Sequence, residues 1–141
     1  MTAAKSLNAQ GTLIKVGDGA SPEVFHAISE VKEIGELGAV LAVLDATTLD
    51  STAKEKKVGL ADYGQLTLQL HYDPTDTNGQ DILRTAVIDK QLRNFKLEIT
   101  GDSTPKTFSA YVISNKSGNF AVDQIVGASV TLEISGAVAG L

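Results

Sequence analysis

A mainly β (α+β) fold, an antiparallel β-sandwich or squashed barrel flanked by one α-helix, is the architecture this sequence predicts. Three observations carry it. Several segments alternate apolar and polar residues with the period of two that belongs to a half-buried strand. One stretch alone, about residues 78–91, repeats its apolar residues at the three-four spacing of an amphipathic helix. Between two of the regular segments lies a long polar stretch, Asp45 to Gly64, read here as a loop of about twenty residues without structure of its own.

The clearest strand is the last. Val130, Leu132 and Ile134 alternate with Ser129, Thr131, Glu133 and Ser135, and Gly136 is expected to stop it. Just upstream, Val122, Ile125 and Val126 stand three and four apart, which suits either a short turn of helix or a bulged strand. At 141 residues the chain is expected to form one domain, 1–141, around one core.

From the N-terminus, residues 1–10 are small and polar apart from Leu7, and read as a flexible arm that orders on docking. Gly11 to Val16 is a short strand. Gly17-Asp18-Gly19 and Ser21-Pro22 then supply a turn, and Val24 to Ile34 returns as the second half of a hairpin, with Phe25, Ala27, Val31 and Ile34 facing inward. Leu37 to Leu44 is apolar with two small residues and fits a buried strand or a short helix. After the polar stretch, Gln65 to Tyr72 resumes strand alternation, with Leu66, Leu68, Leu70 and Tyr72 on one face.

Asp73 to Gly79 is a break dense in capping residues, and Ile82, Leu83, Ala86, Val87 and Lys90 give the helix its apolar edge. Asn94 to Thr100 is a strand with Phe95, Leu97 and Ile99 inward. Gly101 to Pro105 turns the chain. Thr107 to Ser114 follows as a strand, facing inward with either Phe108, Ala110 and Val112 or Tyr111 and Ile113, and Asn115 to Gly118 turns it again.

Composition narrows the chemistry. Hydrophobic residues make up 43% and charged residues 21%, a soluble balance, and no apolar run approaches membrane-spanning length. The first residues lack the apolar core of a secretory signal, so a protein made in the cytoplasm is expected. With no cysteine there is no disulfide, thiolate metal site or cysteine nucleophile. A net charge of -5 opposes a general affinity for nucleic acid, because neutralising phosphates needs surplus Lys and Arg.

The motifs that could carry chemistry fail on spacing. Asp73, Asp76, Asn78 and Asp81 cluster before a helix, yet an EF-hand register would put Pro74 at its first ligand position and Thr85 at its last. Turn and cap roles account for them. Gly17-x-Gly19 lacks the third glycine of a phosphate-binding loop. His26 and His71 stand alone in strands, and no nucleophile elbow is present, so no enzyme, cofactor or metal site is expected. Asn115-Lys116-Ser117 matches a glycosylation acceptor in composition only.

The polar stretch invites a different reading. Its densest charges are Lys54, Glu55, Lys56 and Lys57, which a solvated loop tip would explain. Scattered among the polar residues, however, are Leu49, Ala53, Val58, Leu60 and Tyr63, too few to fold alone and suited to ordering against a partner. Asp45, Leu49, Asp50, Lys54, Glu55, Lys56, Lys57, Val58, Leu60 and Tyr63, with Leu7 of the arm, are therefore the candidate inter-subunit contacts.

The order of arm, hairpin, long polar loop, single helix, and the paired endings TFSAYVIS (Thr107 to Ser114) and GASVTLEISGAV (Gly127 to Val138) resembles the tail tube (major tail) proteins of long-tailed bacteriophages. The resemblance implies a β-sandwich with a flanking helix that assembles as hexameric rings stacked into a hollow tube. It implies that Asp45 to Gly64 and the arms join stacked rings, and that an inner barrel of strands lines a lumen for DNA. Implied partners are other copies of the chain, a tape-measure protein inside, and terminator and baseplate proteins at the ends, in a virion tail. DNA would pass without specific binding, as the acidic charge also suggests, with Glu98 and Glu133 as candidates to face the lumen.

Competing readings are a tube subunit of a related contractile injection or secretion machine, a tail-completion ring protein, and a small barrel binding an apolar ligand. The last would need a pocket bounded by Leu66, Leu68 and Phe95.

Overall fold

The computed structural model describes residues 6–118 and 120–141, so the arm's first five residues lie outside the described part. In chain order the strands are β1 (Leu13–Gly17), β2 (Phe25–Ala27), β3 (Val31–Ile34), β4 (Val40–Asp45), β5 (Lys56–Asp62) and β6 (Gln65–His71). Helix α1 (Gln80–Asp89) follows, then β7 (Arg93–Glu98), β8 (Lys106–Gly118) and β9 (Gly127–Ala139). Seven strands form one antiparallel sheet in the order β2-β1-β7-β8-β9-β6-β3, and β4 and β5 form a separate two-stranded ribbon.

Alternation decides which face of the sheet is dry. Leu66, Leu68 and Leu70 of β6, Phe95 and Leu97 of β7, Phe108, Ala110 and Val112 of β8, and Val130, Leu132 and Ile134 of β9 are all buried. These are the inward positions expected from period two, and at β8 they settle the open choice in favour of Phe108, Ala110 and Val112. Phe95 and Phe108 stack with ring centroids 5.5 Å apart, a geometry worth about 1 kcal/mol beyond area burial. Leu66, Leu68 and Phe95 are packed into this core, each fully buried.

Helix α1 covers the core with Leu83 and Ala86, while Ile82 and Val87 pack at its rim. Lys90 does not lie along that edge. It is exposed and adopts the left-handed conformation that ends the helix, its N–H bonded to the Ala86 carbonyl. Asp76 begins the helix instead of a metal site: its carboxylate accepts the Gln80 N–H at 3.0 Å and the Ser29 N–H at 2.9 Å. Among the described residues no group of potential ligands could hold a metal ion.

Several expectations are corrected. Val24 to Ile34 is not one returning strand but two, β2 and β3, at opposite edges of the sheet, because Glu30 turns the chain with positive φ. Ala27 is consequently exposed and Ile28 buried. Gly136 does not end the last strand; at φ +86° it forms a bulge, and β9 continues to Ala139 beside Thr107. Asn115 to Gly118 is not a turn but the end of β8, paired with Val130 to Gly127. Tyr72 lies just past β6, exposed, with the Arg84 guanidinium 5.5 Å over its ring. Val122 to Val126 forms neither helix nor bulged strand, but a loop turning at Val122 and Asp123.

The largest correction concerns residues 37–64. Leu37 packs on the core, then Val40–Asp45 is a strand, so the strand alternative holds. Asp45 to Gly64 is not a structureless loop: Lys56–Asp62 pairs antiparallel with β4, Val43 opposite Val58 and Leu44 opposite Lys57. The charged residues around Val58 and Leu60 mask a strand whose partner lies upstream.

Candidate assembly surfaces

The β4–β5 ribbon packs its two strands on each other and has almost no contact with the other strands or the helix. Both of its faces are apolar and both are exposed. Val43 opposes Val58 on one face; on the other, Gly59 leaves Ala42 and Leu44 uncovered. Val40 is 74% exposed and Leu60 93%. A two-stranded ribbon in water is marginal at best, and a large exposed apolar patch marks an interaction site.

What holds the ribbon's end in shape is its polar chemistry. Asp45 Oδ1 accepts the Thr47 N–H at 3.0 Å. The Thr47 hydroxyl accepts the Glu55 N–H at 2.9 Å and donates to the Glu55 carbonyl, and the Ala46 N–H reaches the same carbonyl at 2.9 Å. Hydrogen bonds from Thr47 hold the Asp45 carboxyl below its ordinary value. The polar composition thus builds a turn at the end of an apolar ribbon.

The structure gathers Asp45, Leu49, Asp50, Lys54, Glu55, Lys56, Lys57, Val58 and Leu60 on this ribbon. It does not place Tyr63 or Leu7 with them. Tyr63 packs against the core and anchors the base, beside Gly64, whose positive φ of +67° makes the turn into β6. Leu7 lines a cleft of about 590 Å³ with Ile34, Leu97 and Ile99. Sequence reasoning passed over Val40, Leu41, Val43 and Leu44 as contacts, although their unbroken apolar run beside a polar segment was the available signal.

A second exposed apolar group sits on the β8–β9 loop. Phe120 is 76% exposed, Val122 90% and Ile125 71%. The sheet's outer face, by contrast, is polar: Thr67 and Gln69 on β6 lie across from Thr131 and Ser129 on β9, with the Gln69 amide donating to the Ser129 hydroxyl at 3.2 Å, and Lys15, Lys96 and Lys116 share the face. Glu133 sits on that face between Gln65 and Tyr111. Glu98 is paired with Lys15 at 3.1 Å.

Three further carboxylates pin turns. Asp18 accepts the Ala20 and Val24 N–H groups, Asp73 is bonded by Thr75 and Ser29, and Asp102 by the Thr104 N–H and Lys106. Those bonds lower all three below the ordinary 3.8. A carboxyl with a depressed folded pKa contributes stability above its unfolded value that is lost as pH falls through the folded one. Urea stability should therefore hold down to about pH 4 and fall below it. Asp73→Asn should be less stable than the parent at pH 7, with the difference shrinking by pH 3; an unchanged difference would contradict this role.

Residues 9–140 match a family model described as phage tail tube protein. No curated sequence matches the chain. Among solved structures, a chain in the tail of an empty gene transfer agent (GTA) particle, refined with C6 symmetry, aligns with TM-score 0.77 and 16% identity over 95% of this chain and 98% of its own. The cap of the anti-feeding prophage aligns with TM-score 0.73 and 14% identity over 98% and 92%. The SPP1 tail tube aligns with TM-score 0.69 and 15% identity over 93% and 77%. At these identities the likeness is one of fold.

Proposed function

The chain belongs to the phage tail tube protein family, and from that premise we propose that it is a structural subunit whose copies close into rings, six to a ring, that stack into the hollow tube of a virion tail. The observation that carries the assembly reading is the β4–β5 ribbon, apolar on both faces and uncovered in the single chain. Asp45, Leu49, Asp50, Lys54, Glu55, Lys56, Lys57, Val58 and Leu60 join neighbouring rings in this reading. Leu7 contributes through the N-terminal segment and Tyr63 by fixing the ribbon's base.

The polar outer face supports a lumen lining that DNA crosses without being held. At β6 and β9 its hydroxyls and amides offer no cationic grip on phosphates, and Glu133 repels them. The lysines of the same face lie to either side, Lys15 paired with Glu98, Lys96 over the Phe25 ring and Lys116 opposite Ser129. Glu98, neutralised in part by Lys15, is the weaker lumen candidate. A tape-measure protein inside, terminator and baseplate proteins at the ends, synthesis in the host cytoplasm and a non-enzymatic role complete the reading. The likeness to the anti-feeding prophage cap favours one alternative, a ring that completes or terminates such a tube.

Electron microscopy of the purified protein, with sedimentation at several concentrations, tests this. Uniform hollow tubes are the expected result. Isolated rings that never stack would favour the cap, and a monomer at every concentration, even with purified tail tip added, would contradict both.

A further inference from the structure

The turn that leads into α1 is anchored at Asp76 and again at Gln80. Asp76 accepts the Gln80 and Ser29 N–H groups on its carboxylate and the Asp81 N–H on its carbonyl at 3.1 Å. Gln80, buried, bonds the Ser29 and His71 carbonyls and the Asp73 N–H. Between these anchors run only Thr77, Asn78 and Gly79. Packing demands the glycine: residue 79 is buried, and the Asp76 carboxylate occupies the place where a β-carbon would stand. Nothing holds Asn78 in the same way. It is exposed, and among the described residues its side chain makes no hydrogen bond.

Asn78 and Gly79 form the one Asn-Gly pair of the chain. Without a side chain on residue 79, nothing screens its backbone nitrogen from the Asn78 side-chain carbonyl. That nitrogen is also uncommitted, since among the described residues the Gly79 N–H donates to no acceptor. The other described asparagines differ in both respects. Each precedes a residue with a side chain, Ala9, Phe95 or Lys116. Each is also engaged: Asn8 accepts the Gln10 N–H at 3.1 Å, Asn94 bonds Glu23 and Ser109, and Asn115 is paired within β8.

We propose that Asn78–Gly79 is a site of spontaneous modification by water, at which Asn78 becomes aspartate or isoaspartate and the Asp76–Gln80 turn loosens. The Gly79 nitrogen gives up its proton and attacks the Asn78 side-chain carbonyl carbon, forming a C–N bond and closing a cyclic imide. The bond to the amide nitrogen breaks, and that nitrogen leaves with the proton as ammonia. One water then opens the ring. Attack at the side-chain carbonyl gives aspartate on an unaltered main chain; attack at the main-chain carbonyl gives isoaspartate, whose main chain runs through the former side chain. One water replaces one ammonia overall, with no oxidant or reductant. Isoaspartate puts an extra main-chain atom between two anchors that a rigid turn now matches, so Asp76 and Gln80 cannot both keep their bonds. Aspartate leaves the spacing intact, and its charge suits a helix N-terminus.

The site needs only the folded chain and stands apart from the tube reading. The full chain, held at mildly alkaline pH where an amide nitrogen loses its proton more readily, is sampled over time by peptide mass mapping, isoaspartate methyltransferase labelling and thermal unfolding. Asn78 should lose its amide before Asn8, Asn94 and Asn115, with isoaspartate among the products. Chains carrying isoaspartate should melt at least about 3 °C below fresh protein. Asn78→Gln, exposed and free of positive φ, closes the imide far more slowly and should keep its Tm through the same incubation. Asn78→Asp should melt close to the parent. Loss of the amide no faster at Asn78 than at Asn94, or only in urea-unfolded chains, would overturn the site. Isoaspartate chains that melt with the parent, or an equal fall in Asn78→Gln, would overturn its effect on the turn.

Discussion

Glutamate at both Val43 and Leu60 is expected to abolish tubes while leaving the monomer's melting temperature within about 2 °C of the parent. Neither residue, nor any other of the β4–β5 ribbon, belongs to the core cluster, and exposed substitutions outside such features usually change stability by less than about 0.5 kcal/mol. Docking is another matter. Fully burying a Val or Leu side chain is worth about 1.5–3 kcal/mol, so losing two weakens each junction by at least about 3 kcal/mol, more than ~100-fold in affinity. Two buried carboxylates add a desolvation cost. Sedimentation and thermal unfolding on the same sample check both halves. Tubes of normal length, or a monomer that melts 10 °C lower, would show that the ribbon serves the fold and not the assembly.

The ribbon also marks where the sequence was legible. Strands whose one face is buried announce themselves: Leu66, Leu68 and Leu70, or Val130, Leu132 and Ile134, alternate with polar residues because each strand divides core from water. The ribbon has no such division. With Val43 and Leu44 both exposed, β4 is apolar on each side and its period vanishes, so strand and helix look alike. β5 hides among lysines. Its identity as a strand lies in the pairing of Val58 with Val43, fifteen positions upstream, and pairing leaves no local trace.

Longer strands than expected have a related cause. Gly136 and the Asn115 to Gly118 segment carry turn chemistry, yet β8 and β9 run through them because each has a paired neighbour and a bulge absorbs the irregularity. Glu30 shows the reverse. A residue without any turn signature takes positive φ and sends the chain from one sheet edge to the other, held where its carbonyl meets the His71 N–H. Assembly contacts were partly readable, as isolated apolar residues in a polar stretch; the exposed loop of Phe120, Val122 and Ile125 was not, since apolar residues three and four apart beside a strand read as a turn of helix or a bulged strand.

Gln80 was invisible for a different reason, and its replacement should carry the largest cost to folding. It is the buried polar residue among those described, at the first position of α1. Its amide nitrogen donates to the Ser29 carbonyl at 3.0 Å and the His71 carbonyl at 2.9 Å, and its oxygen accepts the Asp73 N–H at 3.0 Å. One side chain therefore ties the β2–β3 connection, the end of β6 and the start of the helix. Gln80→Ala orphans three backbone groups, each costing about 1–3 kcal/mol when buried, with some recovery if water enters the space left. A loss of about 3–5 kcal/mol and a fall of roughly 10 °C in Tm follow, measurable by urea and thermal unfolding. Thr85→Ala, on the exposed side of the same helix, should cost under about 0.5 kcal/mol. Gln80→Glu should be worse than Ala at neutral pH, because it can donate to neither carbonyl and places a charge there. A Gln80→Ala loss under 1 kcal/mol would deny the residue this role. Gln80 holds the end of β6 that abuts the β8–β9 loop, so its loss should impair assembly by lowering stability, where the Val43 and Leu60 glutamates impair assembly alone. The two variants thus separate a defect of folding from a defect of docking.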